Sequence, residues 1–377
     1  MAAGVRSARF LLVLIAAAVL FPAVSQGLTT PVPVTFIDAP DSIDMVHDAA
    51  RNMLYITTTT GDLLRYNIAS REFLSPITLG GNLRGIDISP DNNTLAVADL
   101  SCDSTQQKNW IHIVDLPSNQ TRKIEIDFNV SGESGTWSTA FTDNNTVWVT
   151  SDYGGSGWLP IEKVNVTTGD VTNLLTAKDC TMLVPSADHN YVAYIQPGNT
   201  AGAFGRYRTS DDNLITANIS LKYLYEIGVS RDGTQYAVPT NSYLYVFDEN
   251  LESIGQLGLD GDDMPRDVVY DPNRDRMYVS WYNWSFGTEK VPALQAYDTN
   301  TLAMVEVIDD RTNVFTDGGA YSYEAGRLRI SDDGNLLFAR VEDGVNMYVV
   351  PEPSCACLLA TAVFFLWRRT SSRQRRR

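Results

Sequence analysis

The stretch LRGIDISPDNNTLAVA, residues 83–98, reads as an apolar strand, a tight turn of Pro, Asp and Asn, and a second β-rich strand. The same phrase returns as DMVHDAARNMLYIT (44–57), STAFTDNNTVWVT (138–150), TMLVPSADHNYVAYI (181–195), EIGVSRDGTQYAV (226–238), RDVVYDPNRDRMYVS (266–280) and RLRISDDGNLLFA (327–339). The turn acids Asp48, Asp91, Asp143, Asp188, Asp232, Asp271 and Asp332 stand 43, 52, 45, 44, 39 and 61 residues apart. A second landmark follows in most units. It is a strand ending on Asn or Asp before a polar turn: LLRYN at Asn67, IHIVD at Asp115, IEKVN at Asn165, LYVFD at Asp248 and LQAYD at Asp298. Each marks a third strand turning into a fourth, because Asn and Asp side chains bond the backbone just beyond them.

Four strands per unit at a period of about 40–50 residues is the signature of a propeller blade. The predicted fold class is therefore all-β, a seven-bladed β-propeller over residues 26–350. A body this long is large for a single core, and no Pro/Gly/Ser linker divides it; a ring of repeats resolves that tension. Unit 7 runs from VNMYVV (345–350) straight into Pro351 and is one strand short. The segment PVPVTFIDA (31–39), with Val32, Val34 and Phe36 alternating, is a spare strand ahead of unit 1. Pairing it with unit 7 closes the ring and removes two exposed sheet edges. DTNTLAMVEVI (298–308), after Ala296-Tyr297, resembles the corresponding stretch of YVTN-type surface propellers, related in plan to WD40 propellers but without their Trp-Asp blade ending.

The two ends read as addresses. Arg6 and Arg9, an apolar block from Phe10 to Leu20, Pro22 and then Ala23-Val24-Ser25 fit a signal peptide over residues 1–25. A buried N-terminal helix is the alternative, and the block shows no amphipathic pattern for it. At the other end, Pro351-Glu352-Pro353-Ser354 precedes the apolar run Cys355 to Trp367, and six arginines follow with no acid. A bilayer core needs about 20 helical residues, so this run is short for a permanent span. The proline-bounded motif, apolar run and basic end, residues 351–377, resemble the PEP-CTERM sorting signal. The resemblance implies Pro351, Glu352 and Pro353 as the sorting motif, transient insertion in the inner membrane of a Gram-negative cell, and an exosortase as the processing partner. The expected destination is the cell surface or the extracellular space. A plain stop-transfer anchor is the alternative, with the arginines held inside by the positive-inside rule.

Two basic residues lie before Ser25 and six after Ser354, which leaves 21 basic against 45 acidic residues between them, a net charge near −24. That field disfavours nucleic acid and anionic lipid. It suits divalent cations, basic partners or simply solubility outside the cell.

Signals for catalysis are thin. His47, His112 and His189 stand singly in different units, where packing or turn chemistry is the commoner use, and no zinc spacing appears. LDGDDMPRD (259–267) gathers Asp260, Asp262 and Asp263, a weak calcium candidate beside the reading as a solvated acidic turn, because the EF-hand Gly and Glu positions do not line up. No other cofactor is implied. The loops joining second to third strands share one rim of a propeller and carry aromatic residues: Tyr153 and Trp158 in one, and Trp281, Tyr282 and Trp284 in SWYNWSFGTEK (280–290). Such rings among Ser, Asn and Asp can stack on a sugar and fix its orientation, or can plug gaps between blades. Cys102 and Cys180 fall near that same rim and form a possible disulfide.

These readings lead to an exported, surface-sorted propeller acting as a non-catalytic binding or structural component of the envelope or extracellular polysaccharide matrix, with a polysaccharide or surface protein as partner. The alternatives are a propeller enzyme, lactonase-like or saccharide-acting through channel-facing acids and arginines, and a protein-interaction scaffold.

Overall fold

Each repeated phrase becomes the inner two strands of a blade. A computed structural model of the chain describes residues 34–258, 263–283, 292–311 and 327–350. The first strands of blades 1 to 7 are Ser42–Asp48, Leu83–Ile88, Glu133–Asp143, Met182–Pro185, Gly228–Val229, Asp263–Tyr270 and Leu328–Ile330. Blades 1 to 6 each continue outward through three more antiparallel strands. In blade 1 these are Met53–Thr58, Asp62–Asn67 and Glu72–Thr78, and burial falls from complete on the first two to almost full exposure on the last. Beside blade 4 a separate two-stranded antiparallel sheet pairs Gly198–Gly202 with Leu221–Leu224, flanking the blade's outer two strands in the chain. Among the described residues no helix is long and apolar enough to cross a membrane.

Turn chemistry fixes the blade boundaries. In the turns from first to second strand, the backbone N–H of Arg51, Asn93, Asn145, Asn190, Thr234 and Asn273 donates to Asp48, Asp91, Asp143, Asp188, Asp232 and Asp271. In blade 7 the capping acid is Asp333, which accepts from Asn335 N at 3.0 Å, and not the expected Asp332. The frame is Ser-x-Asp: Ser89, Ser186, Ser230 and Ser331 donate to the acid two residues on, and this selects the second Asp of SDDG. Five of the seven turns hold a residue at positive φ, namely Asn52, Asn92, His189, Gly233 and Gly334. His189 is thus placed by turn geometry. The Asn and Asp residues expected to end third strands do so, each accepting the backbone N–H of a residue two or three positions on, as with Ser70 on Asn67 and Thr301 on Asp298.

The apolar core is divided into seven clusters, one between each pair of neighbouring blades among the described residues. Between blades 7 and 1, Phe338, Val345 and Met347 meet Met45, Leu54 and Ile56, and Ile37 and Ala39 complete the packing. Those two belong to the closing segment. Val34–Asp38 pairs antiparallel with Gly344–Val349, with Val34 opposite Tyr348 and Asp38 opposite Gly344, so the first described strand is the fourth strand of the last blade. Val350 N donates to Asn335 O at 2.8 Å, which brings the chain out of blade 7 on the rim of the first-to-second-strand turns.

Candidate functional site

The position four residues before each turn acid is Asp44, Asp87, Thr139, Val184, Gly228, Asp267 and Arg329 in blades 1 to 7, and all seven line a cavity of about 640 Å³ in the central channel. Four of these seven positions are charged, on the side formed by blades 6, 7, 1 and 2. The other side is small or apolar, extended by Leu183, Pro185, Ile227 and Val229. The lining continues to the exposed Asp188, Arg231, Asp232 and Asp332, so the cavity reaches solvent on the rim of the first-to-second-strand turns.

A buried ion network forms the charged wall. Arg327 is 4 % exposed and grips Asp44 with two hydrogen bonds, Nε to Oδ1 at 2.8 Å and Nη2 to Oδ2 at 3.1 Å. Its Nη1 donates to Glu226 Oε2 across the channel, and Arg329 adds a contact to Asp44 at 2.9 Å. Several of these residues also latch one blade to the next. Asp87 accepts from Phe141 N and Asp267 from Leu328 N, both at 2.6 Å, and Ser138 Oγ accepts from Leu183 N at 3.1 Å.

Burial sets the protonation pattern. It acts to raise the Asp44 carboxyl, but Arg327 and Arg329 outweigh it and hold that group below the ordinary 3.8. Asp267 is pushed up to about 8 by burial and by the charge of Glu226. Burial likewise raises Asp87 to about 6, raises Glu226 in spite of Arg327, and lowers His47. Three buried residues that line the cavity have polar atoms without a partner among the described residues: Glu226 Oε1, both ring nitrogens of His47 and the Tyr270 hydroxyl, none of them with appreciable accessible surface. His47 stacks on Phe338 with ring centroids 6.0 Å apart.

The rim aromatics are dispersed. Trp158 is 63 % exposed at the start of its strand, the one ring of the expected set among the described residues that stands open to solvent. Tyr153 is half-buried and lies so close to Gly132 and Gly157 that a Cβ at either would fall 2.9 Å or less from its ring. Trp281 corrects the expectation of a ligand-facing ring. It is 2 % exposed and packs in the core between blades 5 and 6, because the second strand of blade 6 runs on to Asn283. Tyr282 is half-buried, with the Arg266 guanidinium 4.9 Å from its ring and 4.7 Å from that of Tyr225. Asp263 also departs from the loop reading, being 4 % exposed and the first residue of the strand Asp263–Tyr270. Trp284, Asp260, Asp262, the signal segment and the sorting motif at Pro351, Glu352 and Pro353 lie outside the described residues.

Cys102 and Cys180 are both free thiols, so the possible disulfide is not formed. Cys180 instead donates to Asp152 Oδ1 at 3.0 Å, and burial together with the Asp152 and Asp179 charges pushes its thiol far up. Asp152, Asp179 and Cys180 bring their ligand atoms within 4.8 Å of one another, a mixed oxygen and sulfur set. The protonated thiol makes this a hydrogen-bonded cluster. His112 is buried against Asp99 at 2.9 Å, and Trp110 Nε1 binds the same carboxylate at 2.7 Å, a packed arrangement away from the channel.

A second buried carboxylate pair joins blades 2 and 3. Asn109 and Asn129 donate to Glu133, and Asn129 Nδ2 also donates to Glu162 Oε1 at 2.7 Å. Burial pushes Glu162 up to about 8, with Glu133 and Asp127 adding to the effect. A raised carboxyl favours the folded state below its ordinary pKa of 4.5, and that contribution is lost as pH rises toward 8. Glu162→Gln keeps the acceptor for Asn129 and cannot ionise. Denaturant unfolding should therefore show little change at pH 4.5 and stabilisation of about 2 kcal/mol at pH 8. An offset that does not vary with pH would count against this origin of the shift.

No protein-family model matches the chain, and no curated protein matches it. The class is the one the fold defines, a seven-bladed β-propeller closed by its N-terminal strand.

Proposed function

We propose that the protein is an exported, surface-sorted propeller that serves as a non-catalytic binding component of the cell envelope or extracellular polysaccharide matrix, with its ligand seated in the central channel. The observation that carries this reading is the cavity itself, lined by side chains of all seven blades, charged from blades 6, 7, 1 and 2 and small or apolar from blades 3 to 5. A concave site with an apolar wall and a few polar groups is the usual form of a ligand pocket. At about 640 Å³ the cavity falls in the range of small-molecule sites, roughly 300–1,000 Å³. The sequence supports the address through its N-terminal apolar block and its PEP-CTERM-like tail, removed by an exosortase-type enzyme after transient membrane insertion.

The test is retention of the secreted protein on the producing cell's own exopolysaccharide, with the mass of the surface-released chain measured in the same sample. Retention together with a chain lacking Arg368 to Arg377 is the expected result. No retention, with recovery of a cross-linked protein partner instead, would favour an interaction scaffold.

One observation favours a second reading. Asp44 and Asp267 share the cavity with carboxyls displaced in opposite directions, the pattern of an acid and base pair. Both Asp267 oxygens already accept backbone N–H groups, from Val268 and Leu328, which marks it first as a latch. Turnover of a lactone or glycan panel, abolished by Asp44→Asn, would establish the enzyme.

A further inference from the structure

We propose that Asp152, Asp179 and Cys180 form a site for a divalent transition-metal ion of the zinc type, which ties the second strand of blade 3 to the crossing into blade 4. None of the three lines the central cavity, so the site is separate from the ligand seat proposed above.

Three observations lead to it. The first is geometry. Asp152 lies near the end of the strand Thr146–Tyr153, while Asp179 and Cys180 directly follow the outer strand Val171–Lys178. The fold brings one ligand atom of each within 4.8 Å of the other two, with Cys180 Sγ 3.0 Å from Asp152 Oδ1. Bonds of about 2.3 Å to sulfur and about 2.0–2.2 Å to oxygen set the ligand atoms of a tetrahedral zinc about 3.4–3.6 Å apart. Movements on the order of an ångström, within reach of side-chain rotation, convert the one arrangement into the other.

The second is an unused buried oxygen. Asp179 is 4 % exposed, and Gly157 N donates to its Oδ1 at 3.2 Å. Its Oδ2 has no donor in another of the described residues. Lys178 acts on Asp179 from nearby, but among the described residues no lysine or arginine forms an ion pair with Asp152 or Asp179. Buried carboxylates call for a counter-charge, and a divalent cation supplies one to both.

The third is ligand chemistry. A thiol beside two carboxylates is a mixed sulfur and oxygen set, which suits zinc and its neighbours, whereas calcium and magnesium take oxygen ligands. In the metal-free chain the thiol proton lies between Sγ and Asp152 Oδ1. The cation takes the place of that proton, which leaves to solvent, and the thiolate becomes the ligand. Asp152 is half-buried and Gly154, Gly155 and Ser156 beside it are exposed, so an ion reaches the cluster from the rim and a water completes the tetrahedron.

The test uses cobalt(II) as a spectroscopic stand-in for zinc on the purified, reduced protein after chelation. A thiolate-to-cobalt charge-transfer band in the near ultraviolet should saturate at about one ion per chain, and added zinc should displace it. Cys102→Ser should keep the band and Cys180→Ser should lose it. Asp152→Asn and Asp179→Asn should each weaken binding about ten-fold or more, since even groups one step removed from a metal are worth that much. Zinc at about a hundred times its dissociation constant should raise the unfolding midpoint of the wild-type chain and leave that of Cys180→Ser unchanged. Cys180→Ser retains a hydroxyl donor for Asp152, and its metal-free midpoint reports whether the blade is intact; if it is not, the two Asp→Asn variants carry the test.

No band, or a band that persists in folded Cys180→Ser, would overturn the site. Cobalt binding unchanged in both Asp→Asn variants would do the same. Stabilisation by calcium with no response to zinc or cobalt would overturn the metal class. Each of these results leaves the channel reading standing.

Discussion

Gly344→Val, and equally deletion of residues 26–39, is expected to abolish cooperative folding of the whole ring rather than loosen one blade. The closing strand is the only covalent piece of blade 7 that arrives from the other end of the chain, and it is held by five paired positions, from Val34 opposite Tyr348 to Asp38 opposite Gly344. It brings Ile37, 1 % exposed, and Ala39 into the cluster that joins blades 7 and 1. A Cβ at Gly344 would lie 2.2 Å from Ile37 O and 3.0 Å from Ala39 N. Both are backbone atoms, so the strand cannot yield without losing its register. Burial of Ile37 alone is worth about 1.5–3 kcal/mol, and strand loss also exposes two sheet edges to aggregation. A loss of about 4 kcal/mol or more is expected in denaturant unfolding, with limited proteolysis cutting ahead of Ser42. A soluble variant with an unchanged unfolding midpoint would show that the ring closes without this strand.

Arg327→Met is the second large effect. It leaves Asp44 and Glu226 buried without the guanidinium that neutralises both, a kind of change that costs about 3–5 kcal/mol. The sign of its pH dependence follows from Asp44. The folded carboxyl is held below its ordinary pKa, so its contribution is present above that value and fades as pH falls through the lowered one. Without Arg327 the carboxyls favour the protonated form. The deficit should therefore be greatest near pH 7–8 and smallest near pH 4. Adding Asp44→Asn and Glu226→Gln should restore most of the loss. A cost under about 1 kcal/mol at pH 7, or a deficit that is flat with pH, would mean that Arg327 is not the keystone of the wall.

The ring was legible because two kinds of local chemistry repeat. Turn acids between first and second strands and Asn or Asp third-strand ends mark the same places in most blades, and both act within a few residues, where sequence alone suffices. Asp333 rather than the expected Asp332 caps the last turn because SDDG offers two adjacent acids and the Ser331 register chooses between them. Trp281 was misplaced because the strand from Arg276 continues past Ser280, carrying Met277, Val279 and Trp281 onto one buried face. The channel wall leaves a trace in the sequence, an acid four residues ahead of the turn acid in Asp44, Asp87 and Asp267. What that position faces depends on the ring being closed. The contact of Arg327 with Glu226, 101 residues apart, has no local trace at all.

The proposal that the channel seats a ligand is tested most directly by hydrogen–deuterium exchange on the purified protein with and without exopolysaccharide. New protection is expected in the inner-strand segments 44–48, 226–229 and 327–331, with the loop around Trp158 unchanged. Protection confined to residues 151–159, with the inner strands unaltered, would move the site to the opposite rim and contradict the account.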